Sequence, residues 1–342
     1  MTNDILRLTA ELMAIDSTSG HEGELMAHVA LMLESRGWRV RRIPVSPGRV
    51  DVFATCVHEP LVTLSTHLDT VPPYLPPRID GDTLWGRGAC DAKGVAAAMI
   101  LAAEQLRERD VPVALLFLVG EEVSHDGAHA ANESPSTSRI LIGGEPTEGK
   151  LALGTKGAMR AVLRTSGVAA HSAYPELGES AIAKLVTLLA ELPWLQLPHD
   201  ALLGATTINV GMISGGLADN VIAPLAEARI MVRLVSDDTE VWQLLETWVA
   251  GRATLERGAT VRAMRLNTVP AFETTVAAFA TDIPALTRWG TPYLYGPGSI
   301  HVAHTAHERV TGAELRAAVD GYVRLAEAAL GQARIETRNR AS

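Results

Sequence analysis

The side chains able to bind metals or move protons fall in short segments spread along the 342-residue chain. They are His67-Leu68-Asp69, the stretch Gly86-Arg87-Gly88-Ala89-Cys90-Asp91-Ala92-Lys93-Gly94, Glu121-Glu122, Gly144-Glu145-Pro146-Thr147, and Ala303-His304-Thr305 behind Gly296-Pro297-Gly298. Imidazole suits zinc and its neighbours in the first transition row, and carboxylates accept those ions as well as harder ones. The set is enough for two cations. Two cations side by side need an anion between them, and Asp91, in a glycine-rich turn where the backbone approaches closely, suits that bridge. With His67 and Glu145 on one ion and Glu122 and His304 on the other, three negative charges face four positive ones. The remaining charge matches a hydroxide, the nucleophile that such sites generate near neutral pH.

Asp69 is placed to accept a proton from the second ring nitrogen of His67 and so fix its tautomer. Glu121 and Glu122 are adjacent, so in an extended segment their side chains point opposite ways and cannot both bind one ion. One binds metal and the other is free. A free carboxylate beside activated water is a general base that can pass a proton to a leaving amine, which points to hydrolysis of amides. The last segment offers a choice, because His301, His304 and His307 recur three apart.

These segments need elements that bring them together. Residues 24–36 carry apolar side chains at helical spacing before Gly37, and a strand is expected at about 39–45. Leu61–Thr66, Val113–Val119 and Arg139–Ile142 are short and almost continuously apolar, with helical stretches such as 94–107 between them. Unbroken apolarity predicts strands covered on both faces, in a mixed, mostly parallel sheet flanked by helices. Each of the three runs leads directly into acids or a histidine, and in open α/β sheets ligands bind beyond the carboxyl ends of the strands. The clusters are therefore expected to converge on one sheet edge.

Between 156 and 266 the pattern changes to strand, helix, strand, strand, helix, strand: Ala158–Ser166, Glu179–Leu192, Ala205–Met212, Ala226–Val235, Thr239–Ala250 and Thr260–Leu266. That order predicts an antiparallel sheet with two helices on one face. The expected organisation is a discontinuous metal-binding domain over 1–155 and 267–342, with an inserted ferredoxin-like α+β domain over 156–266. A last helix is expected at about 312–331.

Composition excludes several function classes. With 47% hydrophobic and 20% charged residues the chain is globular, and a net charge of −9 leaves no basic excess for nucleic acid or an anionic membrane. No apolar run approaches the ~20 residues of a membrane span, and the N-terminus lacks a signal-like pattern, so a cytoplasmic protein is expected. Cys56 and Cys90 alone make neither a disulfide framework nor a cysteine-rich zinc site.

In order along the chain, THLDT, GRGACDAKG, GEE, GGEPT, HSAYP, GG-x-A-x-N and AH-T resemble the M20 metallopeptidases, most of all the branch of acetylornithine deacetylase and succinyl-diaminopimelate desuccinylase. The resemblance spans about residues 5–310. It implies His67, Asp91, Glu122, Glu145 and His304 as ligands of two zinc or cobalt ions, with Asp91 bridging, Glu121 as base and Asp69 behind His67. It also implies a lid that dimerises the chain, and often a cis peptide after the bridging aspartate. His171 corresponds to a histidine that reaches the partner subunit's site and helps hold the oxyanion. Asn220 and Arg233 correspond to substrate-binding residues, the arginine taking a carboxylate, for which a guanidinium fork is suited. Leu217 stands where a smaller or β-branched residue is common.

The expected reaction is removal of an acyl group from an N-acyl amino acid, with N-acetylornithine as the specific candidate. Within the class stand succinyl-diaminopimelate, a carrier protein bearing lysine or ornithine, and a small peptide; outside it stands a non-catalytic metal-binding scaffold. Other motifs carry less. His125 and His129 are spaced i, i+4 but lack HExxH, and Asp126-Gly127 between them is a poor helix start. Gly86-Arg87-Gly88 opens like a dinucleotide fingerprint, yet its sixth position is Asp91, which would repel pyrophosphate. Cys90 reads as a small apolar filler, and no GxSxG supports a serine hydrolase.

Overall fold

In a computed structural model, which describes residues 4–341, the apolar runs form the middle of a six-stranded sheet. Its strands are β1 (Arg39–Ser46), β2 (Arg49–Thr55), β3 (Val62–His67), β4 (Val113–Leu118) and β5 (Ile140–Gly143), ordered β1-β2-β4-β3-β5, with Thr291–Leu294 beyond β5. Every residue of β3, β4 and β5 is buried, which is why their sequences are continuous in apolar or small side chains rather than alternating. β3 runs parallel to β4 and β5, and Thr291–Leu294 parallel to β5, while β1 and β2 are antiparallel.

Register brings the chemistry to one edge. His67 pairs with Leu118, Ser65 with Gly143, and Gly143 with Leu294, so the segments after these strands leave the sheet side by side. Behind them pack α1 (Asp4–Met13), α2 (Gly23–Ser35), α3 (Lys93–Glu108) and α7 (Gly312–Ala341), with α4 (Asp126–Glu133) near β1 and β2. Ala96, Ala97, Ala98, Ala102 and Ala103 of α3 are buried, small enough to let α3 lie close to both the sheet and α7. Gly144 is required there: a Cβ would fall 2.4 Å from Val95 and Met99 side-chain atoms. Truncating a strand residue such as Leu115, fully buried, to alanine would cost roughly 2–5 kcal/mol.

The chain divides into two compact units. One comprises the chain up to Leu153, Leu266–Thr275 and the chain from Thr281; the other is Gly154–Arg265 with Val276–Ala280. The second unit holds β6 (Gly157–Ser166), α5 (Ala181–Glu191), β7 (Thr207–Gly215), β8 (Leu225–Leu234), α6 (Asp238–Val249) and β9 (Thr254–Val261), in an antiparallel sheet ordered β7-β8-β6-β9. Alternate residues Met159, Ala161 and Leu163 of β6, and Ala226, Ala228, Ile230, Val232 and Leu234 of β8, pack under Leu185 and Leu188 of α5 and Leu245 and Trp248 of α6.

Some expectations need correction. The last strand of this sheet begins at Thr254, not Thr260; as an edge strand with mostly exposed side chains it carries little apolar signal. Met264–Arg265 instead pairs with Gly154 and Thr155. Helix α4 does form across Asp126-Gly127, because a Cβ on residue 127 would sit 2.3 Å from the Val119 carbonyl and only glycine lets the turn close. Among the described residues no helix is long and apolar enough to cross a membrane.

Candidate metal centre

Two groups of donor atoms share one aspartate. Nε2 of His67, the last residue of β3, lies 3.1 Å from Asp91 Oδ1 and 4.0 Å from Glu145 Oε1. The other oxygen of Asp91 lies 3.2 Å from His304 Nε2, which is 3.0 Å from Glu122 Oε1. His67, Asp91 and Glu145 form one set, and Asp91, Glu122 and His304 the other, the ligand atoms of each within 4.8 Å of one another. All belong to the first unit.

Local structure explains each position. Asp91 precedes the first turn of α3 in a loop held by Glu308, whose carboxylate accepts the N–H groups of Gly88 at 2.8 Å and Asp91 at 3.3 Å and pairs with Arg87. The Asp91–Ala92 peptide is cis. Lys93, buried, donates to the Ile15 carbonyl at 2.7 Å and so points away from the acids. Glu145 lies two residues beyond the end of β5, after Gly144. His304 has φ of 62°, a conformation uncommon for residues with a Cβ, and neither His301 nor His307 joins a donor group.

Glu121 and Glu122 lie in a turn rather than an extended segment, since the N–H groups of Val123, Ser124 and His125 all reach the Gly120 carbonyl. Their side chains still diverge: Glu122 faces His304, and the nearest histidine nitrogen to Glu121 is His125 Nδ1, 3.9 Å away. Asp69 does more than stand behind His67. The ring Nδ1 is 3.0 Å from the Asp69 carbonyl and 3.4 Å from its carboxylate, while that carboxylate accepts the N–H groups of Glu121 and Glu122 at 3.0 and 3.2 Å and the Ser19 hydroxyl at 2.7 Å. Its main hydrogen bonds therefore hold the Glu121-Glu122 turn against β3.

Electrostatics test whether cations fit. Asp69, Asp91, Glu121, Glu122 and Glu145 are gathered with little solvent, and among the described residues every ion pair they make is with a histidine. Burial raises Glu121, Glu122 and Glu145, each reinforced by neighbouring carboxylates. Burial also acts on Asp91, but hydrogen bonds from His304 and His67 outweigh it and hold its carboxyl low. The same bonds to Asp91 and Glu122 push His304 up to about 10. Carboxylates crowded without lysine or arginine need another positive charge, and the oxygen and nitrogen donors suit divalent ions of the zinc type.

The remaining candidates lie in the second unit. His171 is exposed, and its Nδ1 accepts the Ala173 N–H at 3.1 Å. Asn220 is brought beside it, its carbonyl accepting the Ser172 N–H at 3.0 Å, and His171 bridges to Val221. Arg233, half-buried on β8, pairs across the sheet with Thr207 and Ala158. Sequence reasoning missed Ser19, Glu308 and Asp282, each of which acts on a residue more than 45 positions away.

With this geometry in view, residues 153–254 match the family description "peptidase dimerisation domain", and residues 52–144 match "peptidase family M28". A probable carboxypeptidase of Aspergillus clavatus is 36% identical, over 96% of this chain and 83% of its own length. A peptidase M20 domain-containing protein of Schizosaccharomyces pombe is 35% identical, over 94% and 84%. The solved M20 family metallo-carboxypeptidase of Sulfolobus solfataricus shares the fold, with a TM-score of 0.78 at 16% identity, covering 95% of this chain and 99% of that one.

Proposed function

The chain belongs to the M20 family of metallopeptidases, and on that basis we propose that it hydrolyses the amide bond between an acyl or peptidyl group and an amino acid bearing a free carboxylate. Membership makes it a hydrolase of amide bonds. The observation that carries the proposal is the shared Asp91 between two donor sets, with the carboxylate of Glu121 beside them and not engaged in a hydrogen bond among the described residues.

His67, Asp91 and Glu145 would hold one divalent cation, and Asp91, Glu122 and His304 the second, with zinc the expected ion. When bound, the pair supplies the positive charge that acidifies the attacking water and polarises the scissile carbonyl. Glu121 takes the proton of that water and delivers it to the leaving amine. Asp69 keeps Glu121 and Glu122 in place through their N–H groups while fixing the His67 ring. His171 from a second copy's lid donates to the developing oxyanion, and Arg233 with Asn220 binds the substrate carboxylate.

N-acyl amino acids, N-acetylornithine first among them, meet these requirements. So does removal of the C-terminal residue from a short peptide, which the name of the Aspergillus clavatus relative favours. A second copy is also proposed. In the second unit β7 is a sheet edge, and Met212, Ile213, Ile182 and Val186 on β7 and α5 are exposed apolar side chains suited to an interface.

The test is a panel of N-acetylornithine, N-succinyl-diaminopimelate, N-blocked dipeptides and free dipeptides with zinc-loaded protein. E121Q should abolish turnover while metal stays near two ions per chain; an active E121Q removes Glu121 from the mechanism. Metal-replete protein inert on every substrate would favour a scaffold role. R233A should lower kcat/KM about tenfold to a hundredfold for free acids and hardly at all for the amidated analogues, the worth of one charged hydrogen-bonded pair.

A further inference from the structure

Glu121 must present an oxygen to the reacting water, yet among the described residues its carboxylate accepts no hydrogen bond. The one ion-pair contact within 4 Å that it makes among the described residues is to His125 Nδ1, 3.9 Å from Oε1. The same nitrogen lies 2.9 Å from Asp282 Oδ1, so one ring N–H stands between two carboxylates. All three side chains are largely shielded from solvent, at 13% exposure for His125, 11% for Glu121 and 10% for Asp282.

The backbone is arranged to keep them there. Convergence of three N–H groups on the Gly120 carbonyl turns the chain back on itself, and His125 takes φ of 55°, with its Nδ1 3.9 Å from Glu121 Oε1. A left-handed conformation is uncommon for a residue with a Cβ, and histidine and asparagine are among those that adopt it most readily. Asp282 is fixed from its own side: its carbonyl accepts the Ala285 N–H at 3.0 Å, and Thr281 caps the same turn through the Ile283 N–H at 3.3 Å. Thr281 and Asp282 also line, with His67 and Glu145, a cavity of about 10 Å³, which places this turn directly beside the first donor set. Among the described residues no ion-pair partner other than His125 reaches the Glu121 carboxylate within 4 Å.

We propose that His125, clamped by Asp282, is a positioning residue for Glu121, setting the direction in which that carboxylate faces the reacting atoms. This rests on Glu121 being the base. In the absence of the ring the carboxylate would be free to swing toward solvent or toward Asp282, and its proton transfer would start from a scattered set of poses. The pair is thus a support for the proton carrier and not a third metal site, consistent with the exposed His129 taking no part.

The experiment compares zinc-loaded wild-type, H125A, H125N, D282A and E121Q proteins on the best substrate of the panel, with metal content and thermal unfolding measured on the same samples. H125A and D282A should retain two ions per chain and lose on the order of 10–100-fold in kcat, as small misplacements of a reacting group do. KM should move by less than about threefold, because binding is not what is disturbed. H125N, which keeps a donor at the position of Nδ1 and tolerates the left-handed backbone, should recover most of the loss. Wild-type kcat in H125A or D282A overturns the proposal, and so does a kcat loss that tracks metal loss or that H125N fails to relieve. Should H125A not fold, the kcat of D282A decides between the two outcomes. An active E121Q would remove the base assignment whatever H125A does, whereas an inactive E121Q beside a fully active H125A removes the positioning role alone.

Discussion

Buried acids at two places in the same unit are neutralised in opposite ways. Glu22, fully buried, is met by a two-pronged pair from Arg49 at 2.8 Å on each arm, and Arg49 also binds Asp126. Glu22, Arg49 and Asp126 tie α2 and α4 to β2, and those bonds hold the guanidinium well above its ordinary range. Around Asp91 the acids are as deeply placed, yet only imidazoles answer them. The difference separates acids that hold the fold from acids that we propose to hold a cation: a permanently charged partner closes a site, whereas histidine leaves it able to exchange a proton for a metal.

The comparison can be broken by substitution, and the largest effect is expected at Asp91. D91A takes a ligand from both ions, so turnover should fall by about 10³-fold or more, with fewer than two metals per chain after dialysis. In metal-free protein at neutral pH the same change should lower the urea midpoint, because it removes the carboxylate that the His67 and His304 rings face and whose ionised form they favour. A fully loaded, active D91A would erase the distinction. R49A should spare the metal site: it leaves Glu22 buried without a partner, at a cost of about 3–5 kcal/mol in urea unfolding, while metal content per folded chain is unchanged.

Glu308 joins the two modes, since it pairs with Arg87 and also accepts the Asp91 N–H. E308Q is expected to weaken zinc affinity about tenfold to a hundredfold, as substitutions behind a ligand do, measured by chelator competition. The comparison is sharpened further through pH. Asp51 accepts the Val119 N–H with one oxygen and no described hydrogen bond with the other, and burial raises it to about 8, with Asp282 and Asp126 adding repulsion. An acid whose folded value is raised contributes stability that is full below about 4 and is lost as pH climbs toward 8. The urea stability of wild type relative to D51N should therefore decline from pH 4 to 8 and level off above; a rising difference would contradict the assignment.

Much of the site was visible in one dimension because its donors follow strands whose apolar runs are unmistakable. His67, Glu122 and Glu145 are each within four residues of a strand end, and Asp91 opens a helix behind a glycine-rich loop. The helix at Asp126 and the edge strand at Thr254 were harder to see, the first because glycine is a poor helix residue and the second because an edge strand hides few side chains. The Asp69 carboxylate lies 3.4 Å from His67 Nδ1, two residues away, whereas its grip on the Glu121-Glu122 turn depends on a backbone approach between segments 52 residues apart.

Local composition and periodicity determined which residue types stand at the strand ends and in what order, because burial on two faces writes itself into every position of a central strand. Folding alone decided that His304 rather than His301 or His307 faces Asp91, that Glu308 and Ser19 support the acids, and that His125 lies between Asp282 and Glu121. Those pairings are set by distance in space, and a hydrogen bond formed across 50 to 220 residues leaves no spacing or period by which either partner announces the other.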